Sequence, residues 1–202
     1  MRLAYVILAW LILAVSITVP ILAAMTSPLL AWRDPVYIIA GFSGIVALAI
    51  LLIQPLLAAG LLPKLPLPRA RHIHRWCGGI LVLAVMVHVV GLWITSPPDM
   101  IDALLFRSPT PFSYLGVIAM WAVFATATLA VLRRKIALRP RSWRIVHISF
   151  AVVIVAASVV HGLLIEGTME QLSKTVLCVL IIAVTAKVVA DRLLATERTP
   201  RH

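Results

Sequence analysis

The sequence predicts an all-α protein, a six-helix transmembrane bundle with both termini in the cytoplasm. Of the 202 residues, 62% are hydrophobic and only 12% are charged. Soluble domains are about half apolar and a quarter charged, so this composition excludes a water-soluble globule and a disordered chain. The apolar residues also form long blocks, each close to the ~20 residues that a helix needs to cross a bilayer.

Six apolar blocks divide the chain, and residues 1–202 are expected to form a single domain. Backbone amides must be paired in lipid, so each block is predicted to be a helix. The first block resembles a signal peptide near Ala23-Ala24, but its apolar run exceeds the roughly 7–15 residues of such leaders and predicts an uncleaved helix. Gln54-Pro55 predicts a kink or an early end in the second block. The blocks are residues 3–25, 36–62, 73–95, 112–132, 143–165 and 172–194.

The distribution of basic residues predicts the orientation in the membrane. With a cytoplasmic N-terminus, fifteen of the eighteen Lys and Arg fall on the cytoplasmic side, and only Arg33, Arg107 and Lys174 fall on the other. Cytoplasmic loops of membrane proteins are enriched in basic residues, which favours cytoplasmic termini in a multi-pass protein of a bacterial inner membrane. The net charge of +11 thus belongs to loops between apolar blocks, and no nucleic-acid partner is expected.

Four of the six histidines form two pairs with identical spacing. His74 and His88 are 14 residues apart, and so are His147 and His161. Fourteen residues rise about 21 Å along a helix and turn to within about 40° of four full turns, so each pair shares one helix face. The third and fifth spans run in the same direction, which predicts His74 level with His147 near the cytoplasm and His88 level with His161 farther out. The other two histidines are interpreted as interfacial and tail residues: His72 and His202.

Ionisable side chains inside a bilayer are costly and usually functional. A zinc or non-haem iron site needs three or four ligands, commonly including carboxylate or thiolate. No Asp or Glu lies within a span, and Cys77 and Cys178 do not share the histidine face at matching depth. Two imidazoles suffice for haem iron, because the porphyrin supplies the other four donors. The sequence therefore predicts two b-type haems, with these axial ligands: His74, His88, His147 and His161.

An arginine precedes each of the two cytoplasmic-side histidines by three residues, so the pattern R-x-x-H-x13-H occurs twice. Arg71 and Arg144 lie about one helical turn from His74 and His147, and are candidate partners for the propionates of an inner haem. The alternative is that both are ordinary charges of the cytoplasmic side. Gly78 and Gly91, near the histidines of the third span, are expected to let a flat ring approach the helix.

These motifs resemble the ferric reductase-like transmembrane domain. The segment Arg71–Gly78 followed by His88 resembles the third helix of that family, and the segment Trp143–His161 its fifth helix. The superfamily includes ferric reductases, NADPH oxidases and the haem-binding subunit of the periplasmic methionine sulfoxide reductase system. The resemblance implies that the four paired histidines are axial ligands and that electrons flow from the inner haem to the outer one.

The sequence departs from the larger members of this family because it contains no G-x-G-x-x-G nucleotide-binding unit. A membrane haem component without its own NAD(P)H or flavin domain needs a separate cytoplasmic flavin reductase or a membrane quinol as donor. The length, Asp34-Pro35-Val36 and Arg107-Ser108-Pro109 resemble the methionine sulfoxide reductase subunit. In that subunit the position matching His74 need not be histidine, so the full set of four favours the two-haem, ferric reductase-like branch.

Three functional classes remain open from the sequence. The first is a di-haem electron conduit to an extracytoplasmic acceptor, with ferric iron and a periplasmic protein among the candidates. The second is a transporter whose histidines relay protons or bind a metal, and the third is a structural helix bundle; the absence of intramembrane carboxylates disfavours the transporter. The stretch Pro98–Arg107 is predicted to form an interfacial helix over the outer haem.

Overall fold

The computed structural model describes residues 2–133, 135–137 and 139–197. Over those ranges the secondary structure is helical, and six of the helices are long and apolar enough to cross a membrane. Arg134, Arg198, Arg201 and His202, which entered the prediction of orientation and the histidine assignment, lie outside the described residues. The helices are α1 Arg2–Met25, α2 Pro35–Ala59, α3 Leu67–Thr95, α4 Pro97–Leu104, α5 Pro111–Leu132, α6 Pro140–Leu164 and α7 Gln171–Glu197.

The predicted all-α class and the six spans are confirmed, and several helix bounds differ from the predicted blocks by three to six residues. Helix α3 begins at Leu67, ahead of the predicted residue 73, because Pro68 occupies its first turn, where a missing N–H costs nothing. Helix α2 continues through Pro55 to Ala59, so of the two alternatives predicted at Gln54-Pro55, a kink or an early end, the early end is wrong. It ends where Gly60 adopts a left-handed conformation with φ of 68°, the usual helix C-terminal signal.

Prolines open five consecutive helices. Each of α2 to α6 has a proline in its first turn, where the fixed φ angle suits a helix start. Asp34 adds a side-chain cap to α2, since its carboxylate accepts a hydrogen bond from the Val36 N–H at 2.7 Å. Proline-rich connectors therefore set where α2 to α6 begin, and α4 occupies much of the stretch predicted to be an interfacial helix.

The bundle is organised around two helix pairs. Helix α2 packs extensively against α3, and α5 packs extensively against α6, whereas α3 and α6 share no extensive contact within the described part of the chain. The central core joins α2, α3, α5, α6 and α7 through residues such as Leu51, Leu81, Val123, Ile154 and Ile181. Large apolar side chains on the outer surface remain exposed, as lipid contact requires. The fold is that of a multi-pass protein in a lipid bilayer.

Candidate functional site

The first candidate site lies where His74 of α3 faces His147 of α6. Their ring centroids are 6.1 Å apart, and the ring planes are inclined by 77°. The two residues are level across the gap between the helices, as the equal 14-residue spacings predict. We call this arrangement the inner pair.

The second candidate site repeats the first one farther along the same two helices. His88 of α3 faces His161 of α6, with ring centroids 6.4 Å apart and planes inclined by 83°. We call this arrangement the outer pair. Because α3 and α6 are not packed extensively against each other, the two pairs stand at two levels across one interhelical gap.

Backbone carbonyls orient both rings of the outer pair. His88 Nδ1 donates a hydrogen bond to the Ala40 carbonyl of α2, and His161 Nδ1 donates to the Phe112 carbonyl of α5, each at 2.7 Å. A carbonyl oxygen only accepts, so the proton of each neutral imidazole resides on Nδ1 and the lone pair on Nε2. Metal-ligating histidines commonly have this second hydrogen bond, which fixes both tautomer and ring orientation.

The separation of the rings matches ligation of one iron atom by two imidazoles. A metal–nitrogen bond of about 2.0 Å on each side, with about 1.1 Å from nitrogen to ring centre, separates the two centroids by about 6.2 Å. The observed separations are 6.1 Å and 6.4 Å. Among the described residues no group of three or more His, Cys, Asp or Glu side chains is placed to hold a bare metal ion. Two imidazoles per level fit haem, whose macrocycle supplies four donors.

The inner pair is held differently from the outer pair. His74 Nδ1 lies 3.2 Å from the backbone carbonyl oxygen of Gln54 on α2, and the side-chain amide of the same residue also reaches this nitrogen. His147 Nδ1 is buried and has no hydrogen-bond partner among the described residues, and its ring stacks instead on Trp143 of the same helix. The inner pair thus has one hydrogen-bonded ring and one stacked ring.

Arg71 and Arg144 are exposed, each about one turn from the inner-pair histidine of its helix. Among the described residues, neither arginine forms an ion pair with a carboxylate. Their position near the inner pair leaves both guanidinium groups available to an anionic group.

Sequence reasoning missed the residues that orient the histidines. Nothing in a single helix identifies Ala40 or Phe112 as hydrogen-bond acceptors, because each lies on a neighbouring helix. The expectation for Gly91 is wrong: a Cβ there would lie 2.7 Å from the Ala40 Cβ, so this glycine admits helix α2 rather than a cofactor ring. Gly78 faces the side chain of Gln54, at 3.5 Å from an added Cβ.

Fold and site together define a six-span helical membrane protein organised around two levels of facing histidines. The family model described as ferric reductase like transmembrane component matches residues 43–158, more than half of the chain. The chain belongs to this family, which identifies it as a membrane electron-transfer component. The match includes His74, His88 and His147, and it ends three residues before His161.

Membrane domains of this family generally bind haem, in agreement with the chemistry of the paired imidazoles. Comparison with curated proteins and with solved structures returned no match.

Proposed function

We propose that the protein is a di-haem b electron conduit, with one haem between His74 and His147 and another between His88 and His161. The observation that supports it best is the repetition of one geometry at two levels, with imidazoles facing across the gap between α3 and α6 at about the separation that a shared iron requires. Electrons enter at the inner pair and leave at the outer pair, about 21 Å farther along the helix axis.

The chain's own residues supply ligation and orientation in this proposal, and bound haem supplies one-electron redox chemistry. In both outer-pair rings a backbone carbonyl occupies Nδ1, which leaves Nε2 as the nitrogen that would hold the iron. Arg71 and Arg144 hold the propionates of the inner haem through charge-assisted hydrogen bonds.

The orientation, the donor and the acceptor belong to the same proposal. Both termini are cytoplasmic, which puts the inner pair beside the basic cytoplasmic loops. The proposed electron donor, on the side of the inner pair, is a separate flavin reductase or a membrane quinol. The proposed acceptor, on the side of the outer pair, is extracytoplasmic and is either ferric iron or a periplasmic protein of the methionine sulfoxide reductase type.

The test is the haem content of the purified full-length protein, measured by visible spectroscopy and a pyridine haemochrome assay. We expect two low-spin haems per chain, and none after replacement of all four paired histidines by alanine. His72→Ala is the matched control, since His72 lies two residues from His74 and is exposed on the same helix. Absence of haem from the wild-type protein, or full haem in the quadruple variant, would contradict the proposal.

A further inference from the structure

The carbonyls that orient the outer pair are each followed, four residues later, by a glycine. Ala40 is followed by Gly44 on α2, and Phe112 by Gly116 on α5. A helical side chain tilts toward the N-terminus and covers the turn that contains the carbonyl four residues earlier. Glycine at this position leaves that carbonyl open to a ring from the neighbouring helix.

The space above each glycine is filled by a ring of the outer pair. A Cβ at Gly44 would lie 3.0 Å from Nδ1 and 3.1 Å from Cε1 of His88. A Cβ at Gly116 would lie 2.7 Å from Cε1 and 2.8 Å from Nδ1 of His161. Neither glycine has a positive φ angle, so the backbone conformation does not require glycine here. Glycine is required because the ring needs the space that a side chain would fill.

The same arrangement therefore occurs in both helix pairs, α2 with α3 and α5 with α6. In each one, a carbonyl accepts the Nδ1 proton from the facing histidine, and the imidazole occupies the space beside the glycine one turn later. No such glycine serves the inner pair: the residue four positions after Gln54 is Ala58, and His147 Nδ1 has no partner among the described residues.

We propose that Gly44 and Gly116 are positioning residues that set the orientation of the His88 and His161 imidazoles, which would hold the outer haem. This inference rests on the proposed haem ligation and goes beyond it, because it assigns two residues that do not themselves touch iron. An added methyl group displaces the ring from its carbonyl, so both the Nδ1 hydrogen bond and the direction of Nε2 change.

The test compares Gly44→Ala and Gly116→Ala with Gly41→Ala and Gly79→Ala in the full-length protein. Gly41 lies on α2 one turn before Gly44, Gly79 lies on α3, and a Cβ at either control position meets nothing within 4 Å. Alanine has a higher helix propensity than glycine. A glycine-to-alanine substitution that does not disturb the histidine rings should therefore raise the stability of the protein or leave it unchanged. The new Cβ of Gly44→Ala lies farther from the histidine ring than that of Gly116→Ala does. The Gly44→Ala protein therefore remains informative if the Gly116→Ala protein is not produced in folded form.

Two readouts separate this inference from the proposed function. The first is the outer haem itself, followed by its content, its electron paramagnetic resonance signal and its midpoint potential. We expect Gly116→Ala to lose the outer haem, Gly44→Ala to shift its signal and potential, and the inner haem and both controls to stay as in wild type.

The second readout is nitrogen NMR of histidine-labelled, dithionite-reduced protein, which is diamagnetic with low-spin ferrous haem or without haem. The Nδ1–H resonances of His88 and His161 should move in the two variants and not in the controls. Wild-type protein without haem would overturn the proposed function, while the NMR comparison still decides the role of the glycines. Unchanged His88 and His161 resonances in both variants would overturn this inference.

Discussion

The imidazole of His147 stacks on the indole of Trp143, one turn earlier on α6, with ring centroids 5.1 Å apart and planes 26° apart. The guanidinium of Arg133 lies over the same indole, 5.3 Å from its centroid. The corresponding position one turn before His74 is Ala70, which is fully buried. Gln54 of α2 thus contacts the His74 ring, whereas the His147 ring stacks on an aromatic neighbour of its own helix.

Replacement of Trp143 by leucine should weaken the inner haem site alone. Aromatic stacking contributes about 0.5–1.5 kcal/mol beyond burial, equivalent to a loss of about 2- to 12-fold in inner-haem affinity. Haem titration of the variant protein, followed through the inner-haem absorbance, measures this loss. The control is Trp76→Leu, which removes an exposed indole of α3 that is hydrogen-bonded to His72. An equal inner-haem affinity in the two variants would contradict a role for the stacking of Trp143 on His147.

Single ligand substitutions should remove one haem at a time. His88→Ala or His161→Ala should abolish the outer haem, and His74→Ala or His147→Ala the inner one, because in the proposed function both imidazoles of a level hold one iron. Redox titration monitored in the visible range distinguishes the surviving haem by its midpoint potential. If His88→Ala and His147→Ala left the same haem in place, the assignment of pairs to levels would be wrong.

The double variant Arg71→Gln, Arg144→Gln should retain the inner haem poorly and shift its midpoint potential. A charge-assisted hydrogen bond contributes about 1.5–3 kcal/mol, so the loss is large enough to detect in a redox titration. The matched control is Arg75→Gln with Arg141→Gln, which removes the same formal charge from the same helices. Identical inner-haem occupancy and potential in both double variants would indicate that Arg71 and Arg144 are ordinary charges of the cytoplasmic side and do not bind propionates.

Electron transfer across the membrane should require the haems and a separate reductase. In oriented proteoliposomes, NADH and a flavin reductase are supplied on the cytoplasmic face and a ferric chelate on the other. Chelate reduction should stop without the reductase and in His88→Ala protein, while His72→Ala should behave as wild type. An interior-negative potential favours outward electron movement by about 2.3 kcal/mol per charge per 100 mV, so imposing one should accelerate the reaction. Chelate reduction that survives loss of all four paired histidines would exclude the conduit.

Helix α7 should lose stability as the pH falls, through the carboxylate of Glu170. The backbone N–H groups of Ser173 and Leu172 each donate to this carboxylate at 2.6 Å, and they hold the pKa of Glu170 below its ordinary value. A carboxyl with a lowered folded-state pKa contributes stability above its unfolded pKa and loses that contribution as pH falls through the folded pKa. Glu170→Gln should therefore lower the Tm in detergent at neutral pH.

The difference in Tm between wild type and Glu170→Gln should disappear in acid. A series of thermal unfolding measurements between neutral and acidic pH checks this convergence, with Asp102→Asn as a control at an exposed carboxylate outside the long spans. A constant difference across the series would show that the charge of Glu170 does not contribute.

The sequence by itself determined the class of the fold and the identity of the candidate ligands. Hydropathy and helical periodicity are local properties, so six spans and the shared face of His74 and His88 follow from the printed chain. The repeated spacing was enough to predict which histidines are level. The connectors were less predictable, since Pro68 starts α3 well before the apolar run does, and Pro55 does not end α2.

Only the tertiary structure decided what orients those histidines. The carbonyls that accept from His88 and His161 lie 48 and 49 residues away along the chain, on neighbouring helices. The role of Gly44 and Gly116 becomes visible only in the packed helices. The sequence does not show that a histidine ring from a neighbouring helix occupies the space beside each glycine. The difference between the inner and outer pairs has the same origin, since it depends on which groups of α2 and α5 reach each ring.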